Sequence, residues 1–272
     1  MIPGSFHLDP TARGRYTQGM NLSELDAWCR SFLEIEPFRK IDDSLNGVQV
    51  GRSAGPVTRV AFSVDACAET IRRAAEEKAQ VLFVHHGFFW GSPARIQGAL
   101  LERVRALLDR DMALYACHLP LDAHPEYGNN AVLARMLGLS EVKPFGVYKG
   151  IALGFRGSLD PPVSLEEAVR RILPDGSEPR TVLPFGPGGI RSAAVVSGGA
   201  PHELFEAVEE GVDLYVTGEP SHSVYHAAQE AGINFVAAGH YATEIWGVRA
   251  VAEKLARETG VETVFLEVPT GL

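Results

Sequence analysis

Apolar and polar positions repeat with two different periods along the chain. Short apolar runs occur at Val60–Val64, Val81–Val84 and Met112–Cys117, and their length and β-branched content predict buried strands. The segments between them, Glu69–Lys78 and Ile96–Asp109, carry apolar residues at helical spacing. Because strands and helices alternate, the sequence predicts an α/β layered fold.

The start of the chain does not follow this pattern. A helix is predicted to begin near Met20, with Asn21 or Ser23 as its N-cap. Residues 1–19 show neither period, so we expect a disordered N-terminal extension and a functional start at Met20.

The middle of the chain carries the weakest pattern. A helix is predicted from Asn130 to Leu137. Residues 144–189 are rich in Gly and Pro, and within them the pattern predicts only one helix, at Leu165–Ile172.

An internal repeat divides the chain into two related halves. Residues 61–84 align with residues 193–216 without a gap, at a constant offset of 132. After a slip of ten residues, His118-Leu-Pro-Leu-Asp122 aligns with His240-Tyr-Ala-Thr-Glu244. The seven identities in the first stretch are Ala61/Ala193, Val64/Val196, Ala68/Ala200, Ala75/Ala207, Glu77/Glu209, Leu82/Leu214 and Val84/Val216. The repeat predicts two related α/β halves, and the alternative is that any two βαβ units share small and apolar residues.

Composition narrows the classes of function. The 272 residues contain 25 Lys and Arg against 34 Asp and Glu, and the formal charge of −9 argues against a protein that coats nucleic acid. The three cysteines are widely spaced and form no C-x-x-C motif, which indicates a reducing cytoplasm. No apolar stretch approaches the roughly 20 residues of a membrane span. We therefore expect a cytoplasmic protein with no membrane partner.

Histidines and carboxylates follow three of the predicted strands. They are His85 and His86 after the second strand, His118 and Asp122 after the third, and His240 and Glu244 after its equivalent in the second half. Open α/β sheets place ligands at the carboxyl ends of their strands. The i, i+4 spacing puts His240 and Glu244 on one face of a helix, whereas Pro120 restricts the first pair to a helix start. His118 is then expected to support the site and Asp122 to be the ligand.

This set of side chains indicates a metal site. Imidazole and carboxylate groups without a thiolate suit Zn, Fe, Mn or Co, and a carboxylate can bridge two ions. Five or six ligands are too many for one tetrahedral zinc, whereas two ions roughly 3.5 to 4 Å apart use them naturally. The alternative is a set of helix caps and buried ion pairs.

Other polar residues near these motifs allow more than one interpretation. Glu219 can orient a ligand imidazole, act as a general base or cap a helix. His222 and His226 have i, i+4 spacing, but a solvated helix face or a supporting role is favoured over direct ligation. Asn46-Gly47 predicts a turn before a short strand. The chain lacks G-x-x-x-x-G-K, G-x-G-x-x-G and G-x-S-x-G, so phosphate-loop, dinucleotide-binding and serine-hydrolase functions lack support.

Five motifs carry a resemblance to a known family. They are Asn46-Gly-Val-Gln-Val50, Val84-His-His-Gly-Phe-Phe-Trp90, His118-Leu-Pro-Leu-Asp-Ala-His-Pro-Glu-Tyr-Gly-Asn-Asn130, Thr217-Gly-Glu219 and Gly239-His-Tyr-Ala-Thr-Glu244. With these motifs in this order across residues 20–272, the sequence resembles the NIF-three-like family. Its members are also described as GTP cyclohydrolase I type 2 homologues or YbgI-like dinuclear metal-binding proteins.

The resemblance implies a fold and an assembly. The family fold has two intertwined α/β lobes related by a pseudo-dyad, and it assembles as a homohexameric ring whose metal sites face the inner cavity. The interval of 118 residues between Asp122 and His240 is too short for the domain that longer members insert, so a short form is implied. We expect residues 20–130 with 240–272 to form the first lobe and residues 131–239 the second.

The resemblance also implies the ligand set. It predicts two divalent metal ions per subunit, of the kinds named above. The implied ligands are His85, His86, Asp122, His240 and Glu244.

Two functional hypotheses use the same ligands. The first is a metal-dependent hydrolase of the GTP cyclohydrolase type, in which a metal-bound hydroxide attacks a nucleotide or a related heterocycle and Glu219 or His118 moves protons. Because the chain is acidic, the metals or some of Arg52, Lys149 and Arg156 would bind phosphate. The second is a non-catalytic metal-handling or regulatory ring that binds partner proteins. A ring that processes DNA ends or oligonucleotides is disfavoured by the charge of −9.

Overall fold

The structure is a computed structural model and describes residues 20–272, so the predicted extension at residues 1–19 lies outside the described residues. In chain order the strands are β1 Met20–Asn21, β2 Gly47–Val50, β3 Pro56–Val57, β4 Arg59–Asp65, β5 Val81–His86, β6 Ala113–Ala116, β7 Ser140–Tyr148, β8 Ile151–Val163, β9 Thr181–Pro184, β10 Ile190–Val195, β11 Leu214–Thr217, β12 Asn234–Ala237 and β13 Glu262–Phe265. The α-helices are α1 Leu22–Phe32, α2 Ala68–Glu76, α3 Gly98–Leu108, α4 Leu119–Ala123, α5 Asn129–Leu137, α6 Leu165–Ile172, α7 Leu204–Glu209, α8 Val224–Ala231 and α9 His240–Thr259. Short 3-10 turns occur at Glu36–Phe38 and Pro201–Glu203. Among residues 20–272, no helix has the length and apolar character that crossing a membrane requires.

Two large sheets carry the fold. The first has five strands in the order β13-β4-β5-β6-β2, and the second has six in the order β7-β8-β10-β11-β12-β9. Strands β1 and β3 pair in a small third sheet. The predicted apolar runs form β4, β5 and β6, and the helical segments between them form α2 and α3. The predicted α/β fold is therefore confirmed.

The internal repeat has the same strand register in both large sheets. Ala61 lies opposite Leu82 in the parallel pair β4 and β5. Ala193 lies opposite Leu214 in the parallel pair β10 and β11. In each sheet an antiparallel edge strand follows the last strand of the parallel run, β2 beside β6 and β9 beside β12. The two halves therefore share a strand arrangement as well as a composition.

The middle of the chain contains more structure than the sequence pattern predicted. Residues 140–163 form the antiparallel pair β7 and β8, where no strand was predicted. Pro144, Pro161 and Pro162 obscure these strands, because proline cannot donate a hydrogen bond to a sheet and argues against a strand. The predicted helix at Leu165–Ile172 is confirmed as α6.

Helix α1 begins where the sequence predicted. The Asn21 side chain accepts a hydrogen bond from the Glu24 N–H at 3.0 Å, and the Glu24 carboxylate accepts one from the Asn21 N–H at 2.8 Å. This reciprocal capping box satisfies two backbone donors at the helix start. Leu25 and Cys29 on the helix are buried in the core of the first sheet.

Helix α9 contributes to the hydrophobic cores of both large sheets. Val248, Val251 and Leu255 pack in the core of the first sheet. Ala242 and Trp246, nearer the start of the helix, pack against the core of the second sheet. One helix therefore joins the two cores, and its first turns lie between them.

Candidate metal centre

Strand β5 delivers two histidines to the carboxyl edge of the first sheet. His85 and His86 are its last two residues, and β5 lies between β4 and β6. The His85 ring is fully buried, and its Nδ1 lies 2.9 Å from the Cys117 carbonyl oxygen. Because a carbonyl oxygen can only accept, Nδ1 must carry the proton and Nε2 is the free ring nitrogen. The Nδ1 of His86 lies 2.9 Å from a carboxylate oxygen of Asp65, which ends the neighbouring strand β4.

Helix α9 delivers the other histidine and a carboxylate. His240 is its first residue and Glu244 lies one turn later, so the i, i+4 geometry predicted for this pair is present. The preceding residue, Gly239, has a φ of 115°, a conformation that favours glycine. The Nδ1 of His240 lies 2.6 Å from a carboxylate oxygen of Glu219. Each of the three histidines is thus oriented through Nδ1, as is typical of metal-ligating imidazoles.

The free ring nitrogens converge on Glu244. Its Oε2 lies 3.1 Å from the Nε2 of His240 and 3.3 Å from the Nε2 of His86. Its Oε1 lies 3.5 Å from the Nε2 of His85, which also lies 3.5 Å from Oδ2 of Asp122. The five side chains form two groups with metal-ligand spacing, His86 with His240 and Glu244, and His85 with Asp122 and Glu244. Glu244 belongs to both groups, and a third group with this spacing joins His85 and His86 to His118.

Polar atoms in this cluster fit a cation. The Nε2 atoms of His85 and His240 and Oε2 of Glu244 are buried and make no hydrogen bond within the described residues. A buried polar atom without a partner is costly, so these atoms need a ligand of their own. Neutral imidazole nitrogens and a carboxylate oxygen suit divalent zinc, iron, manganese or cobalt. The residues present therefore fit the metal ions that the sequence predicted.

Electrostatics in the cluster favour added positive charge. Burial lowers the pKa of His85, but the carboxylates of Asp122 and Glu244 outweigh it and raise that pKa to about 10. Burial also lowers the pKa of His240, whereas the nearby carboxylates of Glu244 and Glu219 raise it to about 9. Burial raises the pKa of Glu244, but the imidazoles of His85 and His86 hold it well below its ordinary value. A divalent cation bound between these side chains would supply positive charge to the same carboxylates.

Asp122 is held by residues that the sequence analysis did not identify. Its Oδ1 accepts hydrogen bonds from the Asn129 side-chain amide at 2.9 Å and from the Ser197 hydroxyl at 3.2 Å. Both donors are buried. The Asn129 side-chain oxygen also accepts a hydrogen bond from the Gly247 N–H of α9 at 2.7 Å. Asn129 therefore connects Asp122 on α4 to α9, the helix that carries Glu244.

His118 lies beside the cluster on a second buried carboxylate. It precedes α4, and its Nδ1 lies 2.9 Å from Oδ1 of Asp42. The His118 ring centre is 5.1 Å from that of His85 and 5.7 Å from that of His86. The side chain of Asn46 donates to Asp42 at 2.8 Å and accepts from the His118 N–H at 2.8 Å. Asn46 thus orients a residue of the site and directly precedes β2, whereas the turn predicted at Asn46-Gly47 is not formed.

The structure places several sequence candidates away from the cluster. Arg52 pairs with Asp111 at 3.1 Å, and Arg156 pairs with Glu210 at 2.6 Å. Their guanidinium groups are therefore engaged elsewhere. Of the three cations considered for phosphate, Lys149 alone adjoins residues of the cleft, since its Nζ donates to the Ile41 carbonyl at 2.9 Å.

His222 and His226 also lie outside the cluster. Both are exposed, and α8 begins at Val224, so His222 precedes the helix that was expected to carry both. Neither belongs to a group with metal-ligand spacing among residues 20–272. The sequence interpretation that set these two histidines aside is consistent with their positions.

Four of the five clustered side chains line a cleft of about 410 Å³. This volume is typical of sites for small molecules. The cleft is lined by His86, His118, Asp122, His240 and Glu244 together with apolar side chains that include Leu119 and Leu153. The arrangement can hold cations next to a ligand of modest size.

Known proteins resemble the chain over this whole region. Residues 20–271 match the sequence profile of the Duf34/NIF3 (NGG1p interacting factor 3) family. A GTP cyclohydrolase 1 type 2 homolog of Treponema pallidum is 44% identical over 286 residues, and one of Halobacterium salinarum is 47% identical over 256 residues. Each alignment covers 93% of this chain and 100% of the relative.

Solved structures agree with this assignment. The protein TTHA1606 from Thermus thermophilus superposes with a TM-score of 0.84 at 40% identity, and the protein ybgI with a TM-score of 0.85 at 35% identity. Both comparisons cover 93% of this chain and 100% of the other. The resemblance predicted from the motifs is confirmed, and the chain belongs to the Duf34/NIF3 family.

Proposed function

We propose that this protein is a hydrolase that depends on two divalent metal ions and acts on a nucleotide or a related heterocycle. One observation carries the proposal: Glu244 is shared by two groups of potential ligands. A carboxylate with one oxygen toward each group is the arrangement that a dinuclear site needs. His85 and Asp122 would complete one site, and His86 and His240 the other.

The bound ions would supply Lewis acidity and lower the pKa of a coordinated water, which makes water a nucleophile near neutral pH. The residues of the chain would hold and orient the reacting groups. Cys117, Asp65 and Glu219 fix the three ligand imidazoles through Nδ1. Such partners keep each ring in one tautomer and at one angle.

Proton transfer is assigned to His118 and Glu219. His118 lines the cleft, and its Nδ1 is held by Asp42, so its Nε2 is available to a ligand. Glu219 is half-exposed and uses one oxygen on His240, which leaves the other free to accept a proton. His118 is better placed for general acid or base catalysis, because Glu219 is already committed to His240.

The substrate class is supported by two features. The two relatives described above are named GTP cyclohydrolase 1 type 2 homologs. In addition, the cleft has the volume of a small-molecule site, and four of the five predicted metal ligands line it.

We also propose that the protein works as a homohexameric ring in the cytoplasm. Exposed apolar side chains such as Val147 and Phe205 support self-association. All three cysteines are free, which supports a reducing compartment.

The test is metal content and turnover in matched proteins. The parent, a Glu244→Gln variant and a His222→Ala control are made without a polyhistidine tag and incubated with zinc, manganese or iron(II). We expect about two ions per protomer in the parent and the control by elemental mass spectrometry, and a near-complete loss in Glu244→Gln. The same samples are incubated with GTP, and formate and ring-opened products are measured by mass spectrometry. Metal retention without turnover would favour the metal-handling function, and absence of metal from the parent would refute the site.

A further inference from the structure

Two partly exposed aromatic side chains line the cleft that contains the metal ligands. Trp90 is 39% exposed and Tyr148 is 38% exposed. Trp90 follows β5 of the first sheet, whereas Tyr148 is the last residue of β7 in the second. Each large sheet therefore contributes one aromatic ring to the same cleft.

The Trp90 indole is fixed in place by its own loop. Its Nε1 donates a hydrogen bond to the Gly87 carbonyl at 3.0 Å, and its backbone forms an isolated bridge with Ser44. Its ring meets the His118 ring edge to face, with 4.9 Å between centres. A ring that is already ordered and still partly exposed can stack on a ligand at little entropic cost.

Tyr148 is followed in the chain by Lys149, which lies in a tight turn. Lys149 and Gly150 join β7 to β8 with φ values of 45° and 90°, as the central residues of a two-residue hairpin turn require. The Lys149 Nζ lies 4.9 Å from the centre of the Tyr148 ring and donates to the Ile41 carbonyl. An ammonium group has three N–H donors, so two remain for a ligand.

Lys149 adjoins the cleft through Tyr148 and Ile41, which line it, although its own side chain is not part of the lining. The cleft lining includes the carboxylates of Asp42, Asp43 and Glu203 besides the metal ligands, and within residues 20–272 it includes neither Lys nor Arg. An anionic group on a ligand would therefore be repelled by the walls and attracted to Lys149 or to the ions.

We propose that Trp90, Tyr148 and Lys149 form a recognition subsite for a planar heteroaromatic ring that carries an anionic group. The two rings would stack on the heterocycle, and the ammonium group would bind the anion. This inference rests on the proposed function, because it names the parts of the substrate that are held while the ions act. These three residues would set specificity rather than chemistry.

The test compares two probes that differ only in the ring. Guanosine 5′-monophosphate and ribose 5-phosphate share the phosphate, and each is titrated calorimetrically into the metal-loaded protein. We expect guanosine 5′-monophosphate to bind at least about tenfold tighter, because stacking on aromatic side chains strengthens base binding by that order. Trp90→Leu and Tyr148→Leu should each remove most of this difference while ribose 5-phosphate binding stays unchanged.

Matched variants separate recognition from folding. Tyr225→Leu removes a ring that is 41% exposed on α8 and outside the cleft, and it should leave both affinities unchanged. Trp90→Phe keeps a ring and should retain most of the preference. Lys149→Met should weaken both probes by a similar factor, because it acts on their common phosphate.

Two results would overturn the subsite. One is equal affinity of the parent for the two probes, and the other is an unchanged preference in the Trp90→Leu, Tyr148→Leu double variant. Metal content is measured on the same samples. If the double variant keeps both ions and its preference, the subsite fails while the dinuclear site stands. If the parent holds no metal, the proposed function itself fails.

Discussion

Two strand ends in this molecule share a histidine–carboxylate spacing but use it differently. His118 and Asp122 follow β6, with Asp122 on the five-residue helix α4, whereas His240 and Glu244 lie in the first two turns of the 20-residue helix α9. His118 precedes its helix and binds Asp42, while His240 opens its helix and directs Nε2 at Glu244.

The difference lies in what surrounds each carboxylate. Asp122 accepts hydrogen bonds from Asn129 and Ser197, so part of its charge is already satisfied by the protein. Glu244 contacts imidazoles, and its Oε2 has no hydrogen-bond partner among the described residues. The same spacing therefore gives one carboxylate, Asp122, that is held by hydrogen bonds, and another, Glu244, with an oxygen open to a cation. The two halves share an arrangement of strands and helices, but the residues around each carboxylate differ. Those residues determine whether the carboxylate is held by hydrogen bonds or is open to a cation.

The largest effect should separate the two carboxylates. Asp122→Asn removes a ligand from one group, whereas Glu244→Gln removes the ligand common to both. We expect Asp122→Asn to retain about one ion per protomer and Glu244→Gln almost none, measured by elemental mass spectrometry. Equal losses in the two variants would contradict the sharing of Glu244.

A smaller effect on the site should follow from adding a side chain at Gly198, next to Glu244. Gly198 has a φ of 66°, and an added Cβ would meet Oε1 of Glu244 and lie 3.3 Å from the Nε2 of His240. Gly211 has the same φ with open space around it, so Gly211→Ala measures the backbone cost alone. We expect Gly211→Ala to lower the free energy of unfolding by about 1 to 2 kcal/mol. Gly198→Ala should lower it by about 3 kcal/mol or more, because the clash adds to that cost.

Guanidinium titrations of the metal-free variants measure these free energies. Metal content of Gly198→Ala is then compared with that of Gly211→Ala. Equal stability and equal metal content in the two variants would show that the site does not require a glycine at position 198.

The smallest effect should come from the residues that orient the histidines. Asp65→Asn and Glu219→Gln keep the shape of each side chain but remove the charge that faces His86 and His240. We expect each change to weaken metal affinity by about 10- to 100-fold without changing the number of ions. Competition with a chromophoric chelator measures this affinity, and Asp213→Asn, a carboxylate near Ser192 and away from the cluster, is the control. Unchanged affinity in both variants would leave these carboxylates with a structural role only.

Local sequence patterns predicted the parts of the site that depend on neighbours along the chain. His240 and Glu244 are one turn apart on a helix, and His85 and His86 end an apolar strand, so spacing and periodicity sufficed to group them. The parallel halves were predictable for the same reason, because the repeat preserves the register of Ala61 opposite Leu82.

The supporting residues depend on contacts between distant segments. Asp42 and His118 are in contact but are separated by 76 positions in the sequence, and Ser197 and Asp122 by 75. No rule based on spacing along the chain relates such pairs. Asp65 carried a usable signal, because it ends the strand before β5 and parallel pairing sets it opposite His86. The strands β7 and β8 were missed because their prolines outweighed the turn signal at Lys149-Gly150.

The position of α9 has a consequence for metal preference. Val251 and Leu255 fix this helix in one core and Trp246 contacts the other, so Glu244 cannot shift without displacing packed side chains on both sides. The distance between Glu244 and His85, which lies on β5, therefore depends on the distance between the two sheets. In the proposed dinuclear centre, the radius of the cation that fits would then depend on packing throughout the fold, and a cavity made far down the helix would change which ion fits best.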